Sequence, residues 1–563
     1  MTEIRKAKTE YSDGFELKLI SSMEKIINAK EPTGEGAEEQ LTLLQGETIS
    51  FQIAYCWTNM RKERAAVRVE APEGLDVHVR TTELVPCEYP AHMKRDDDYL
   101  VTEPGAYPDL LSEVRDCGIS LIPGQWKSLW VDLKSTEQTA GGKYTFKISF
   151  SVHDELQAEV EQTAEVIPVE LPKLPIPHTE WFHSDCLANY YDTEVFSEKH
   201  WEIIENFIRT AVERNINMIL TPIFTPPLDT AIGGERRTVQ LVEVTVKEDG
   251  AYEFGYDLFE RWVKMCLDCG VEYFEISHLF SQWGAKMAPK IMGWKNGEYV
   301  QLFGWDTDAA GKIYGDFLHQ FLTSFKAELD RLEIGSRCYF HLSDEPGEKD
   351  LQSYEAARNQ VAEDLEGYAL MDALSDYSFY EKGLVAQPVC AVNHIGPFLE
   401  HKVENLWAYY CTAQYEKVTN RFISMPGYRT RILGAMLYKY DLKGFLHWGY
   451  NFYNSEYSMY ALDPYRCTDA GGSFPSGDAF LVYPGEGGQP EESIRLMMMD
   501  EAMNDLRAMH LLEKLAGREA VMECLEPQGG EAVTFDEYPR SISYMTKMRA
   551  DINEKIRQSV EKQ

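Results

Sequence analysis

Up to about residue 175, apolar and polar positions alternate. Leu41-Thr-Leu-Leu-Gln, Thr48-Ile-Ser-Phe-Gln-Ile-Ala-Tyr, Ala66-Val-Arg-Val-Glu and Gly142-Lys-Tyr-Thr-Phe-Lys-Ile-Ser-Phe-Ser-Val each carry it. A period of two marks half-buried strands. Glycine, proline and charged turns between the runs predict an antiparallel β-sandwich. Leu171-Pro-Lys-Leu-Pro-Ile-Pro-His then reads as a stiff extended linker. Beyond it the period changes. Trp201, Ile204, Phe207, Ile208 and Ala211 form a helical stripe within 198–215, and further helices are predicted over 258–269 and 313–332. Short apolar runs lie between them: Trp181-Phe-His-Ser-Asp, Asn217-Met-Ile-Leu-Thr, Val271-Glu-Tyr-Phe-Glu-Ile-Ser and Arg337-Cys-Tyr-Phe-His-Leu-Ser, then 368–374, 405–410 and 444–448. Strands alternating with helices predict βαβ units, and an eight-fold (β/α)8 TIM-like barrel is the economical closure. A doubly wound open sheet is the runner-up, but it lacks a Gly-x-Gly-x-x-Gly turn. Helical patterns return from about Glu492, with a last helix over 538–562.

With 563 residues the chain exceeds one compact core. The expected division is a β-sandwich over 1–175, a catalytic barrel over 176–505 and a C-terminal helical extension packing on the barrel over 506–563. The composition, 44% hydrophobic and 26% charged, is that of a soluble globular protein. A net charge of −37 argues against nucleic acid as a partner, since no basic footprint is present. Eleven scattered cysteines do not form a disulfide framework, and the lone Cys266-x-x-Cys269 has no second pair with zinc spacing, so buried thiols are expected. No 18-residue apolar span is present. No apolar run follows the N-terminus, which makes a cytoplasmic location the expectation.

Catalytic groups of a barrel gather where its strands end. His183 and Asp185 follow the first strand candidate. His278 follows the third, ahead of a long loop with Trp283, Trp294, Tyr299, Phe303 and Trp305. Trp407, Tyr409, Tyr410 and Tyr415 cluster around a later strand, and Gly444-Phe-Leu-His-Trp-Gly-Tyr-Asn comes after them. Aromatic faces mixed with amides, histidines and carboxylates suit a sugar, which offers an apolar face and a rim of hydroxyls. On strand-end position alone, His278, Trp407 and Tyr415 are candidate substrate-binding residues, Tyr415 as a hydrogen-bond donor to an amide.

The fourth strand candidate ends in Asp344-Glu345-Pro346-Gly347. Two adjacent acids at the end of an apolar strand are costly unless they have a task. Adjacent strand residues point to opposite faces, so the pair converges only past the strand, where Pro346 and Gly347 bend the chain. Ordinary glycosidases oppose two carboxyls across the sugar, about 5 Å apart in retaining enzymes and more in inverting ones. Sequence neighbours straddle a glycosidic bond poorly. They better fit substrate assistance, in which a 2-acetamido oxygen attacks the anomeric carbon. One carboxylate then steadies the oxazolinium, and the other protonates the leaving oxygen and later activates water.

Phe340-His-Leu-Ser-Asp-Glu-Pro, Lys443-Gly-Phe-Leu-His-Trp-Gly-Tyr-Asn, Gly477-Asp-Ala-Phe-Leu-Val-Tyr-Pro-Gly and Ser493-Ile-Arg-Leu resemble motifs of glycoside hydrolase family 123. The known members are β-N-acetylgalactosaminidases. The resemblance implies retaining, substrate-assisted release of terminal β-linked N-acetylgalactosamine from glycans, glycolipid glycans among them, with no metal or cofactor. It implies that Asp344 polarises the acetamido group and that Glu345 is the acid/base. By matching motif, Trp448, Tyr450 and Asn451 line the sugar site, and Asp478 and Arg495 bind hydroxyls.

Three alternatives stand beside this. One is a glycosidase of other sugar specificity without acetamido assistance, whose second carboxylate is Asp185 or Glu275. Another is a non-catalytic carbohydrate-binding protein. The third is a metal-dependent hydrolase using His341, Asp344 and Glu345.

Overall fold

The computed structural model describes residues 3–6, 14–37 and 41–562. The chain divides into two compact units. One comprises Met1–Pro175, Tyr415–Lys439 and Glu491–Gln563; the other comprises Ile176–Gln414 and Tyr440–Pro490.

The first unit holds a five-stranded sheet of Phe15–Ser21, Thr48–Trp57, Trp126–Lys134, Asp76–Cys87 and Gly105–Glu113, in that spatial order. Its pairings are antiparallel. A six-stranded sheet is built around Gly142–Val152 and Glu155–Glu170. Phe51, Ile53 and Val131 of one sheet and Phe146, Ile148 and Val160 of the other belong to one buried core, as the two-residue period dictates. Leu41–Gln45 joins Glu155–Glu170 in parallel, which departs from the wholly antiparallel arrangement expected.

The second unit is organised around a closed barrel of eight strands. In order these are His178–Glu180, Met218–Thr221, Tyr273–Ile276, Cys338–Phe340, Ala369–Leu374, Gln387–Ala391, Trp407–Tyr409 and Phe445–His447. All neighbours pair in parallel, and the eighth strand closes on the first through His178↔Phe445 and Glu180↔His447. Period two places Met218 and Leu220, Met371 and Ala373, Val389 and Ala391, and Trp407 and Tyr409 in the barrel core. Helices run between strands, among them Glu198–Glu213, Asp257–Cys269, Lys312–Arg331 and Leu351–Val361. Ser197 caps the first of these by accepting from His200 N–H.

The elements differ from expectation in several places. The first barrel strand is the polar His178–Glu180, not Trp181–Asp185, and Ser184–Tyr190 is helical. Gln387–Ala391 is a barrel strand that the apolar pattern did not reveal. The long aromatic loop holds two strands, Ile291–Lys295 and Glu298–Phe303, which join Glu243–Val246 and Tyr252–Gly255 in a separate four-stranded sheet.

The expected boundaries at 176–505 and 506–563 also change. The helices Ile494–Ala516 and Ile542–Glu561 fall in the first unit and are not an extension of the barrel. Buried charges account for this. Arg495 forks onto Asp109 with both contacts at 2.8 Å, and Arg549 binds Glu47 and Asp505. Ile494–Ala516 is buried on nearly every face of its first four turns, its apolar residues in the core and its buried charges, Arg495 and Asp505 among them, held by partners of opposite sign. Among the described residues no helix is long and apolar enough to cross a membrane.

Candidate active site

The fourth barrel strand stops at Phe340, and the chain beyond it is held by substitutes for ladder partners. Asp372 Oδ1 accepts from Leu342 N–H at 3.0 Å and Ser343 N–H at 3.3 Å. Leu279, Phe280 and Trp283 N–H donate to the carbonyls of His341, Leu342 and Asp344 at 3.2, 3.0 and 2.9 Å. The loops after the third and fourth strands are thereby zipped together. Glu345 N–H donates to Ala373 carbonyl, and Glu345 adopts a φ of +43°. For a non-glycine residue this left-handed backbone is strained, and such strain gathers at functional sites. The turn brings Asp344 and Glu345 onto one cavity, so strand alternation no longer separates them.

That cavity, of about 170 Å³, is walled by Trp181, Tyr409, Leu446, Trp448 and Phe474, with Trp283 and Tyr457 at a more open position. Tyr409 hydroxyl donates to Glu345 Oε1 at 2.6 Å. Glu345 keeps accessible surface toward the cavity although protein surrounds its carboxyl. Burial raises its carboxyl, and the Tyr409 hydrogen bond partly opposes this. Asp344 is pushed well above the usual carboxylate range, chiefly by burial and then by the neighbouring Glu345 charge. The pair therefore holds a proton to higher pH than an isolated carboxyl.

Beneath the pair lies a buried polar network. Glu275 accepts from Trp181 Nε1 and His341 Nε2, each at 2.6 Å, and from the Thr179 hydroxyl. His341 Nδ1 reaches Asp372 at 3.2 Å. Burial disfavours the imidazolium, but the two carboxylates prevail and raise His341 to about 9. Asp185 is engaged as well, gripped by Arg236 at 2.6 and 2.9 Å. Arg236 also donates to His183 Nδ1 at 3.1 Å, so His183 Nε2–H donates to Trp448 carbonyl at 2.9 Å. Burial and the guanidinium push His183 down to about 3, leaving it a neutral wall residue. Glu275 and Asp185 are both committed to these partners and do not line the cavity.

Of the sequence candidates, the structure brings Asp344, Glu345 and Trp448 together on the cavity. Asp478 stands behind Trp448, accepting from its Nε1 at 2.9 Å. Asn451 clasps the His183 backbone, accepting from its N–H at 2.8 Å. Tyr450 donates its hydroxyl to Phe207 carbonyl in the core. Trp407 is buried in the barrel core, packed against Tyr339. His278 is buried, with its ring stacked on His341 at 4.3 Å and against Trp181. Tyr415 and Arg495 lie in the first unit, where Tyr415 packs on His92 at 4.2 Å and Arg495 pairs with Asp109. Sequence reasoning did not select Trp181, Asp229, Glu456, Tyr457 or Phe474, and it placed Trp283 and Tyr409 only among the aromatics gathered after strand ends. Tyr409 carried a usable signal, since its register in the seventh strand puts it on the same inner face as Trp407.

Among the described residues, His278, His341 and Asp372 each bring a metal-ligating atom within 4.8 Å of the others. The two imidazoles lie face to face, 16° from parallel. Their in-plane lone pairs therefore do not converge on one ion, and both His341 nitrogens already face carboxylates. The trio does not make a convincing cation site.

A closed parallel barrel with an aromatic-walled cavity and paired carboxyls past one strand end has the layout of a glycoside hydrolase. Comparison with known proteins agrees. The pattern described as glycoside hydrolase 123, catalytic domain, matches residues 181–512. A family 123 glycoside hydrolase from Clostridium perfringens, studied for glycolipid glycan hydrolysis, superposes with a TM-score of 0.72 at 15% identity, covering 97% of this chain and 99% of that one. Domains 4 and 5 of the S-layer protein SbsC (14% identity, 24% of this chain and 49% of that one) and a FixG-related protein from Vibrio parahaemolyticus (9%, 27% and 97%) reach TM-scores of only 0.13 and 0.15, too low to compare folds. No curated protein matches the sequence. The chain belongs to glycoside hydrolase family 123.

Proposed function

We propose that the enzyme is a retaining exo-β-N-acetylgalactosaminidase that uses the 2-acetamido group of its substrate as nucleophile. The observation that carries this is the sharing of one cavity by two carboxyls adjacent in sequence, while Asp185 and Glu275, the partners an unassisted glycosidase would need, are tied to Arg236 and His341. The terminal sugar sits against Trp181, Tyr409 and Trp448. Asp344 accepts the acetamido N–H and turns the amide oxygen toward the anomeric carbon; its charge then stabilises the oxazolinium. Once the acetamido N–H engages Asp344, the proton that the pair shares rests on Glu345; the leaving oxygen takes it, and Glu345 afterwards draws a proton from the water that opens the oxazoline. Tyr409 occupies Glu345 Oε1, which leaves the other oxygen for the proton transfer. The family's N-acetylgalactosaminidase members support the choice of sugar, and glycolipid glycans are a candidate natural source.

Two measurements test this. Among aryl β-glycosides of N-acetylgalactosamine, N-acetylglucosamine, galactose and glucose, the first is cleaved fastest, with inhibition by a thiazoline analogue of the N-acetyl sugar. Glu345→Gln should lose about 10²–10⁴-fold on poor leaving groups and much less on activated aryl glycosides. Asp344→Asn should lose heavily on both. Equal, mild losses in the two variants, or no thiazoline inhibition, would overturn substrate assistance.

A further inference from the structure

The residues around the cavity are graded by depth. Trp181 and Tyr409 are almost wholly buried, whereas Trp283 and Tyr457 remain 38% and 41% exposed. These two rings meet edge to face at 5.7 Å. Both stand on left-handed backbone, with φ of +58° for Trp283 and +57° for Tyr457. Hydrogen bonds hold that backbone in place. Trp283 N–H donates to Asp344 carbonyl at 2.9 Å. Asp229, itself at φ +37°, accepts Tyr457 N–H on Oδ2 at 3.1 Å and the Ser458 hydroxyl on its carbonyl at 2.7 Å. Gln282 side-chain oxygen accepts Asp229 N–H at 2.6 Å, which joins the Trp283 loop to the Tyr457 loop. The rim is thus a fixed, half-open aromatic corner tied to the catalytic turn.

Its charge is one-sided. Asp229, Asp344, Glu345 and Glu456 all line the cavity, and no lysine or arginine among the described residues does. Arg236, beside it, is already paired with Asp185.

We infer that Trp283, Tyr457 and Asp229 form the binding position for the sugar on the leaving side of the scissile bond, and that this sugar must be uncharged. This rests on the reading of the cavity as the site of N-acetylgalactosaminide hydrolysis. With the terminal sugar against the buried Trp181 and Tyr409, the next sugar of the glycan projects toward the half-exposed rings. Their faces cover the apolar face of a pyranose, and Asp229 accepts from its hydroxyls. A uronate or sulfate there would face a lining of carboxyls with no lysine or arginine among the described residues to pair with it. The enzyme therefore processes neutral glycans, and an acidic neighbour must be removed or neutralised by another reaction first.

The test compares three substrates: the methyl β-glycoside of N-acetylgalactosamine, the neutral disaccharide with galactose, and its counterpart with glucuronate. The variants are Trp283→Gly and Tyr457→Gly, since glycine accepts the positive φ without strain. Circular dichroism checks their folding. Wild type should cleave the neutral disaccharide with kcat/KM about tenfold or more above the uronate one, a modest figure for like-charge opposition. Each variant should lose about tenfold more on the neutral disaccharide than on the methyl glycoside, the scale of one ring's buried apolar contact. Equal losses on those two substrates, or equal cleavage of the uronate one, would overturn the assignment. If wild type cleaves none of the three, the choice of sugar fails instead. The rim is then judged by calorimetry with neutral galactose-containing oligosaccharides. Binding that weakens in both variants keeps it; binding unchanged in them, or absent from wild type, removes it.

Discussion

Tyr409 shows how much one hydroxyl governs in this cavity. Its donation to Glu345 Oε1 favours the carboxylate, against the burial that favours the acid. Glu345 must be protonated when it meets the substrate, so the basic limb of kcat/KM against pH tracks its folded pKa. Removing the phenol removes the hydrogen bond that lowers that pKa. Tyr409→Phe should therefore move the basic limb to higher pH while lowering the plateau. A limb that stays in place or moves down would assign the titration to another group, and Asp229, raised to about 6 by burial, would be the first to examine. The acids themselves were legible in the sequence because two charges ended an apolar run. Their partners were not. Tyr409, Trp181 and Tyr457 are ordinary aromatics until the barrel closes, and Arg495 and Asp478 kept their motif positions while serving neighbours in the structure.

Among the elements, regular repeats were readable and irregular ones were not. The helical stripes and most barrel strands kept their periods to within a few residues. His178–Glu180 escaped because it is polar though buried: His178 N–H donates to Asn217 Oδ1, and the Asn217 amide donates to Ile176 carbonyl. Gln387–Ala391 escaped because it carries Pro388, which speaks against a strand in a sheet. The aromatic loop did contain a usable signal. Asn296-Gly297 lies between its two strands with φ of +53° and +82°, the conformation of a two-residue hairpin turn. A different glycine is packed closely in the barrel. A Cβ at Gly444 would lie 2.2 Å from the Trp407 ring, at the entry to the eighth strand. Gly444→Ala should cost about 1–3 kcal/mol by overpacking. Chemical denaturation measures it, and Trp407→Leu in the same chain should recover part of the loss. A Gly444→Ala enzyme as stable as wild type would mean that the ring has room to shift.

For the whole molecule, the two units offer a sharper question than the boundary alone. The proline-rich stretch marked one change of architecture in the sequence. Nothing in the apolar pattern said that Tyr415–Lys439 and the C-terminal helices would return to the first unit. That return is written in pairs hundreds of residues apart, such as Arg549 with Glu47 and Arg495 with Asp109. Each unit thus has buried ion pairs of its own, with Arg236–Asp185 in the second. Removing one partner of such a pair leaves a buried charge unpaired, at about 3–5 kcal/mol. Arg549→Met strands Glu47, and Asp185→Asn strands Arg236. The pH sign is fixed for the second pair. Its guanidinium holds Asp185 below the ordinary carboxylate range despite burial, so its stabilisation is present above about pH 4. It is lost as pH falls further, through the depressed folded value. Near pH 7, Asp185→Asn should raise amide hydrogen exchange across the barrel strands and leave Thr48–Trp57 and Trp126–Lys134 protected. Arg549→Met should do the reverse. Exchange that rises equally in both units for either variant would mean that the chain opens as one cooperative body, with the contact division carrying no energetic boundary.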